Sequence, residues 1–249
     1  MASQHDITAE MAAIAAAAGG AEGDQPRLDY PPYRSSALRH PRHRMLEVDP
    51  EQLELWAPCF GEGDVVPADS DLTAGHAGEP IGERIIVSGR LLDRSGRPLG
   101  GQLVEVWQAN AAGRYRHAGD QHPAPLDPNF TGMGRCLTGP DGCYRFVTVK
   151  PGPYPWRNHH NAWRPAHIHF SVFGVAFTQR LVTQMYFPGD PLFGLDPIVA
   201  SVPDPLARQR LIASYDHGIT EPEYATGYRW DIVLDGGVLD GGRWESNNA

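Results

Sequence analysis

Two histidines, His167 and His169, stand one residue apart in the segment 164–170. Side chains alternate along a β-strand, so both imidazoles lie on one face while Ile168 and Phe170 point to the other. At the usual strand rise the two histidine Cα atoms lie about 6.5 Å apart, and imidazoles at that spacing can converge on one metal ion. Two partly exposed histidines on a polar strand face are the alternative, and the pair alone does not name a metal.

Two loop tyrosines stand upstream of this pair. Tyr154 lies between Pro153 and Pro155, and the two prolines fix its direction at low entropic cost. Tyr115 lies in a loop after a predicted strand that ends near Trp107. The alternatives are ordinary ones: Tyr154 packs against a neighbouring ring, and Tyr115 belongs to a solvated loop.

The combination of two tyrosines with two histidines restricts the kind of metal. A free phenol has a pKa near 10, so a tyrosinate ligand requires a strong Lewis acid to hold it deprotonated. Zinc sites usually use Cys, His and carboxylate ligands, and the ferrous oxygenase triad needs a carboxylate beside two histidines. The segment 164–170 contains no Asp or Glu. The donor set therefore indicates non-haem Fe(III), with the candidate ligands Tyr115, Tyr154, His167 and His169.

Short alternating segments separated by turns make up the rest of the chain from about residue 82. They predict an all-β fold, an antiparallel β-sandwich with long active-site loops and short peripheral helices. Between the last two strands, residues 204–215 have helical spacing, with Gly218 beyond them as a C-terminal signal. The predicted strands are 84–92, 102–107, 143–149, 166–173, 178–187 and 228–234.

The first 80 residues differ in character from this body. Residues 7–18 are rich in Ala and predict a short helix, and residues 27–43 combine prolines with several arginines, which is typical of an extended arm. Such arms usually lie across another surface, often a partner chain. We therefore divide the chain into residues 1–80, an N-terminal arm and helix/loop region at a subunit interface, and residues 81–249, a catalytic β-sandwich domain.

Charge and cysteine content bear on partners and location. A formal net charge of −9 argues against nucleic acid and acidic membrane surfaces as partners. The three cysteines form an odd set without CxxC spacing, which favours reduced thiols over a disulfide framework or a structural zinc site. The Ala-rich run lacks a basic flank and is too short to span a bilayer. A cytoplasmic protein is expected.

Taken together, the motifs resemble those of the intradiol ring-cleaving dioxygenase family. The resemblance runs from about residue 33 to residue 234, and the ordered Tyr, Tyr, His-x-His set is highly specific in combination. Within the family it is strongest to the members whose iron-binding chain pairs with a homologous α chain and cleaves protocatechuate. The segments that carry it are 80–87, 104–110, 113–117, 124–130, 150–158 and 163–170.

The resemblance implies roles for individual residues. Tyr115 and His167 would be the retained, equatorial-type iron ligands, while Tyr154 and His169 would be axial, with Tyr154 leaving the iron when substrate chelates. Arg164 would lie over the bound ring and stabilise its carbanion-like form. Four further positions match residues that line the substrate and O2 pocket, although ordinary packing is an alternative for each: Tyr33 near the substrate carboxylate, Trp156, Gln184 and Ile198.

The implied reaction is the opening of protocatechuate with O2 to give 3-carboxy-cis,cis-muconate, by a chain that assembles with a homologous α subunit. Cleavage of catechol or hydroxyquinol is one alternative. Those relatives usually carry a longer helical region before the sandwich, which this sequence does not show. A non-catalytic, transthyretin-like binding sandwich is the alternative from another class, and the complete ligand set argues against it.

Overall fold

The structure of the chain, a computed structural model, describes residues 26–43, 62–157, 160, 163–173 and 180–234. The helix expected at residues 7–18 and the Gly-rich tail from residue 236 lie outside the described residues. Among the described ones, the strands are β1 Arg84–Asp93, β2 Leu103–Gln108, β3 Met133–Leu137, β4 Cys143–Val149, β5 Tyr154–Pro155, β6 Trp163–Arg164, β7 His167–Phe173, β8 Arg180–Tyr186, β9 Ser214–Tyr215, β10 Thr226–Arg229 and β11 Ile232–Leu234.

These strands form two main sheets and one small ribbon. The first sheet has β1 at its centre, with β4 on one edge and β10 and β11 in succession on the other, and β9 pairs with β10. The second sheet has the order β3-β2-β7-β8, and β5 pairs with β6 as a separate two-stranded ribbon. The strand β7 is therefore paired along both of its edges, which makes it a rigid support for its side chains.

The pairing directions confirm the all-β prediction and correct one detail of it. All pairs in the second sheet are antiparallel, as is the pair between β1 and β4. However, β10 and β11 run parallel to β1, so the first sheet is mixed. A parallel neighbour requires a crossover, and the long segment between β8 and β10 supplies it here.

The two sheets pack face to face through inward-pointing aromatic side chains. Phe170 of β7 is fully buried, and its ring lies 5.7 Å from Tyr144, 6.3 Å from Phe146 and 5.0 Å from Trp230. Ile168 and Val172 lie in the same buried cluster. The apolar face of β7 is thus in the core of the sandwich, and the histidines on the alternate positions point away from it.

The helices are short and lie at the periphery: α1 Ser36–Arg39, α2 Pro197–Ala200 and α3 Pro205–Arg210, with 3₁₀ turns at Glu62–Asp64, Pro67–Ser70, Phe193–Leu195 and His217–Ile219. The helix predicted for residues 204–215 was too long. Asp204 caps α3 by accepting from Leu206 N and Ala207 N, but after the helix the chain bonds to the end of β8, because Ala213 N donates to Tyr186 O. The residues from Ala213 onward therefore pair with strands instead of continuing the helix.

Other boundaries agree with prediction to different degrees. The strand predicted at 143–149 matches β4 residue for residue, whereas the segment 228–234 is divided into β10 and β11 at Trp230 and Asp231. The strand β3 was not predicted, because Gly134 and Arg135 interrupt any apolar alternation there. No helix among the described residues has both the length and the apolar character needed to cross a membrane.

Candidate functional site

The outer face of β7 carries the two histidines. His167 lies opposite Tyr186 of β8, and His169 lies between Gln184 of β8 and Trp107 of β2. Only 2% of His167 and 7% of His169 is exposed. The Nε2 atoms of the two rings are 3.2 Å apart. The strand alternation thus brings both imidazoles to one point, as expected from the sequence.

Each imidazole is held in a form suited to metal binding. His167 Nδ1 lies 2.8 Å from Pro165 O, and since a carbonyl can only accept, Nδ1 carries the proton and Nε2 presents its lone pair. His169 stacks on Trp107 at 4.7 Å with an interplanar angle of 3°. Burial, and then the positive charge of Arg164, lower the pKa of His169 to about 3 and that of His167 well below its usual value. Both rings are therefore neutral at physiological pH.

The two tyrosine loops, one after β2 and one after β4, pack against each other through backbone atoms. Asn110 O accepts from both Gly113 N and Gly152 N, each at 2.9 Å. A Cβ on Gly113 would lie 2.2 Å from Pro153 O, and a Cβ on Gly152 would lie 2.4 Å from Ala111 O. Gly113 also has φ of +77°, which L side chains rarely adopt. Only glycine at both positions permits this close approach of the loops.

This loop contact places Tyr115 and Tyr154 beside the histidines. The Tyr154 Oη atom is 3.3 Å from His167 Nε2, and its ring meets that of Tyr115 edge to face at 5.3 Å. Tyr115 lies 6.3 Å from His169, and its buried hydroxyl has no hydrogen-bond partner among the described residues. Burial, and then the charge of Tyr154, raise the pKa of Tyr115 well above its ordinary value. A phenolate at Tyr115 therefore requires a strong cation beside it.

Arg164, in the ribbon strand β6, closes the site from the side of Tyr154. Its Nη1 atom lies 3.3 Å from Tyr154 Oη and 3.1 Å from His167 Nε2. Burial alone would lower the pKa of Arg164, but electrostatic interactions with Tyr154 and Asp196 raise it well above the usual value. Although only 2% of the residue is exposed, the guanidinium is therefore a permanent positive charge at the centre of the site.

The other predicted pocket residues are arranged around Arg164. Its guanidinium lies over the Trp156 ring at 5.2 Å, and Trp156 in turn lies 5.0 Å from the ring of Tyr33 in the N-terminal arm. Gln184 Oε1 accepts from Arg164 Nη2 at 2.6 Å. Ile198 is half-buried in α2, and its backbone N donates to the carboxylate that binds Arg164. The fold thus brings the predicted residues together, with Ile198 linked through its backbone.

Three residues of the site were missed by sequence reasoning: Trp107, Tyr186 and Asp196. Trp107 stacks on His169, and Tyr186 Oη donates to Gln184 Oε1 at 2.7 Å. Tyr186 stands two residues after Gln184, so strand alternation placed both on one face of β8 and could have identified it. Asp196 offered no such signal, because an Asp before a Pro at a helix start reads as a simple N-cap.

The donors that gather here are unusual for a protein metal site. No group of three or more His, Cys, Asp or Glu side chains that could hold a metal occurs among the described ranges. The groups that could hold a metal here are two imidazoles and two phenols, and one of those phenol oxygens, that of Tyr115, is buried without a partner among the described residues. Phenolate is a hard anionic ligand, so these residues fit a hard, highly charged cation better than zinc.

Comparison with known proteins agrees with this chemistry. A family model described as "Dioxygenase" matches residues 55–236, and one described as "Protocatechuate 3,4-dioxygenase beta subunit N terminal" matches residues 18–51. The chain is 56% identical over 213 residues to the protocatechuate 3,4-dioxygenase beta chain of Burkholderia cepacia, covering 85% of this chain and 90% of that one. The chain belongs to the intradiol ring-cleaving dioxygenase family. It is therefore an oxidoreductase.

Other similar proteins match the chain at lower identity. Hydroxyquinol 1,2-dioxygenase of a Rhizobium species is 32% identical over 165 residues, which are 62% of this chain and 54% of that protein. Among solved structures, 3-chlorocatechol 1,2-dioxygenase of Rhodococcus opacus superposes with a TM-score of 0.53 at 24% identity, over 68% of this chain and 66% of that one. Hydroxyquinol 1,2-dioxygenase of Pseudomonas putida superposes with a TM-score of 0.51 at 22% identity, over 93% of this chain and 83% of that one. At these identities the two structures support the fold alone.

Proposed function

We propose that this dioxygenase chain is the iron-binding β subunit of an enzyme that opens protocatechuate with O2 between its two hydroxyl-bearing carbons, giving 3-carboxy-cis,cis-muconate. The observation that carries the proposal is the convergence of two phenols and two imidazoles beside a buried arginine. The 56% identity to a protocatechuate 3,4-dioxygenase beta chain, over 90% of that chain, supports this substrate over catechol or hydroxyquinol.

Tyr115, Tyr154, His167 and His169 would hold a ferric ion. The neutral histidines, and the Tyr115 hydroxyl that is buried without a partner in the described part of the chain, support this assignment. When bound, a ferric ion would supply a Lewis acid for the two catechol oxygens to chelate, and the resulting loss of electron density from the ring would let a ring carbon react with O2. The raised pKa of Tyr115 means that its phenolate form depends on that charge.

Tyr154 is proposed as the base for one substrate hydroxyl. Its Oη atom would take up a phenolic proton as the catechol binds, which moves Tyr154 from ligand to neutral phenol. Two features support this role. Tyr154 lies on a two-stranded ribbon rather than in a main sheet. In addition, Arg164 Nη1 lies 3.3 Å from the Tyr154 oxygen, where it can donate to that oxygen before and after the proton is taken up. Positioned bases of this kind contribute on the order of 10²–10⁴-fold to rate.

Arg164 is proposed to stabilise the negative charge that develops on the substrate ring. The guanidinium is buried and already oriented, so its charge acts in a water-poor environment without reorganisation at the moment of reaction. Trp156 covers one face of the guanidinium at 5.2 Å. The remaining pocket positions would contact substrate and O2: Tyr33 near the carboxylate, Trp156, Gln184 and Ile198.

A homologous α subunit is proposed as the partner, with residues 1–80 at the interface and residues 81–249 as the catalytic domain. Leu28 and Leu38 in the arm are large apolar side chains with more than half of their surface exposed, which supports an interface there. A cytoplasmic location is part of the same proposal. It is supported by Cys136 and Cys143, which are free thiols.

A visible absorption spectrum tests the proposal directly. The chain would be co-expressed with its α partner, purified, and measured before and after anaerobic addition of protocatechuate, together with the iron content. We expect a tyrosinate-to-Fe(III) charge-transfer band that shifts with substrate. A colourless protein with one iron per chain would exclude tyrosinate ligation. Rates of O2 uptake with protocatechuate and with catechol then separate the substrates, and faster turnover of catechol would exclude the proposed one.

A further inference from the structure

Asp196 is a fully buried carboxylate, 0% exposed, at the start of α2. Its two oxygens have separate partners. The Oδ1 atom accepts from Ile198 N at 2.9 Å and so caps the helix. The Oδ2 atom accepts from Arg164 Nε at 3.1 Å and from Arg164 Nη2 at 2.6 Å. One carboxylate therefore ties a backbone helix start to the guanidinium of the site.

The guanidinium of Arg164 is divided between two sets of partners. Its Nε and Nη2 atoms bond to Asp196, and Nη2 also donates to Gln184 Oε1 at 2.6 Å and to Tyr186 Oη at 3.0 Å. Its Nη1 atom alone faces the candidate ligands Tyr154 and His167. Because a guanidinium is planar and rigid, fixing Nε and Nη2 also fixes the direction of Nη1.

The same contacts orient Gln184. Its Oε1 atom accepts from Arg164 Nη2 and from Tyr186 Oη, which leaves Nε2 on the opposite side of the amide. That Nε2 is buried and has no hydrogen-bond partner in the described part of the chain. An amide flip would place the Gln184 NH2 group against the donors of Arg164 and Tyr186. The network therefore fixes the orientation of the amide, with Nε2 available to donate to a bound molecule.

We propose that Asp196 is a positioning residue of the dioxygenase, which holds the guanidinium of Arg164 so that Nη1 is presented to the metal ligands and the substrate ring. The inference rests on the proposed function, because it assigns Asp196 a part in ring cleavage. Removing one partner of a buried ion pair leaves an uncompensated charge and is destabilising, so the positioning role is judged from kcat in variants that still bind iron. Here the carboxylate bonds to Nε and Nη2 of Arg164, the edge of the guanidinium that faces away from the candidate ligands.

The test compares Asp196→Asn with Asp204→Asn in the assembled enzyme. Asn keeps an oxygen that can cap Ile198 N but removes the charge that holds Arg164. Asp204 is a matched control, because it caps α3 through Leu206 N and Ala207 N. We expect Asp196→Asn to lower kcat by about 10²-fold, the effect of misplacing a group by about 1 Å. KM, iron content and the charge-transfer band should change little, and Asp204→Asn should stay within about twofold of wild type in kcat.

Two further variants keep the inference open to refutation if Asp196→Asn folds poorly. Asp196→Glu retains the charge but displaces the carboxylate by one methylene, so it should bind iron and still lose kcat. In an Arg164→Lys background, which lacks the fork geometry, adding Asp196→Asn should cost little more, since both act through one group. Wild-type kcat in Asp196→Glu, or full additivity with Arg164→Lys, would overturn the role of Asp196.

The outcomes separate this inference from the proposed function. If the wild-type complex neither binds ferric iron nor cleaves protocatechuate, the proposed function fails and the role of Asp196 fails with it. If the wild-type complex is active and Asp196→Asn turns over as fast as Asp204→Asn, the function stands and only the positioning role is lost. A fall in kcat with an intact charge-transfer band supports both.

Discussion

The histidines and the tyrosines of the site reach the same centre from supports of different construction. His167 and His169 project from β7, which is hydrogen-bonded to β2 on one edge and β8 on the other. Tyr115 projects from the loop after β2 and Tyr154 from the short ribbon strand β5, and the mutual position of these two segments depends on backbone contacts at two glycines. The two histidines are thus held by a sheet, and the two tyrosines by loop contacts and a two-residue ribbon.

This difference in support indicates which part of the site can move. A strand paired on both edges cannot shift a side chain without breaking ladder hydrogen bonds, so the imidazoles form the fixed part. The ribbon of β5 and β6 has only two paired positions, Tyr154 with Arg164 and Pro155 with Trp163, so it can adjust at lower cost. A group that is proposed to leave a metal and return to it, as Tyr154 is, is better placed on the second kind of support. Variants on each support test this contrast.

Removing a strand-borne imidazole should have the largest effect. In His169→Ala we expect iron binding to weaken well beyond the roughly 10–100-fold that follows loss of an outer-shell partner, with ring cleavage abolished. Iron per chain and O2 uptake measure both. His217→Ala, at an exposed histidine of the 3₁₀ turn after β9, is the control and should keep both. Full iron occupancy in His169→Ala would mean that the sheet does not supply a ligand there.

Removing the hydroxyl of a ribbon-borne tyrosine should have a different and smaller effect. We expect Tyr154→Phe to keep its iron, to shift the charge-transfer band, and to slow turnover by about 10²-fold, because it lacks the base for the substrate proton. Stopped-flow mixing with protocatechuate should show slower binding and product release. The control is Tyr215→Phe, at a half-exposed tyrosine of β9 in the first sheet. An unchanged rate and spectrum would remove Tyr154 from this role.

The contact between the two tyrosine-bearing segments can be tested without substituting a candidate ligand. In Gly113→Ala the new Cβ would meet Pro153 O at 2.2 Å, so the two tyrosine loops must separate. We expect kcat to fall by on the order of 10-fold, with a change in the charge-transfer band, since small displacements of a positioned group are costly.

Gly96→Ala is the matched control for Gly113→Ala. Gly96 has φ of +80°, close to the +77° of Gly113, but a Cβ there meets nothing within 4 Å. It should therefore cost about 1 kcal/mol of backbone strain and leave kcat unchanged. Equal losses of activity in both variants would show that strain, and not the approach of the loops, is responsible.

The same contrast explains how much could be predicted from the sequence. The histidines were predictable because alternation on β7 is a local property: Ile168 and Phe170 enter the core and the imidazoles face outward. The strand β4 was predicted to the residue for the same reason. The tyrosines could be proposed only from ligand chemistry and from the family resemblance, because no local pattern places two loops against each other.

Asp196 shows where sequence reasoning ended. Its local pattern, an Asp before Pro197, correctly indicates a helix cap, and Oδ1 does accept from Ile198 N. Its second partner, Arg164, is 32 residues away and on the ribbon, so only the tertiary fold brings the two side chains together. Because the N-cap role is a sufficient local explanation for an Asp at this position, no sequence pattern indicates its distant partner.

The smallest effect on activity is expected on the inner face of β7. Phe170→Leu should cost about 1–2 kcal/mol of stability and lower Tm by about 2–8 °C, because the smaller side chain leaves a gap beside Tyr144 and Trp230. Its kcat should stay within about twofold of wild type, since the ladder bonds to β2 and β8 still fix the neighbouring His169. Phe146→Leu, on the opposite sheet, should give a similar fall in Tm with the same kcat. If Phe170→Leu instead lowered kcat as far as Gly113→Ala, the strand would be no firmer a support than the loops, and the contrast between the two pairs of ligands would have to be abandoned.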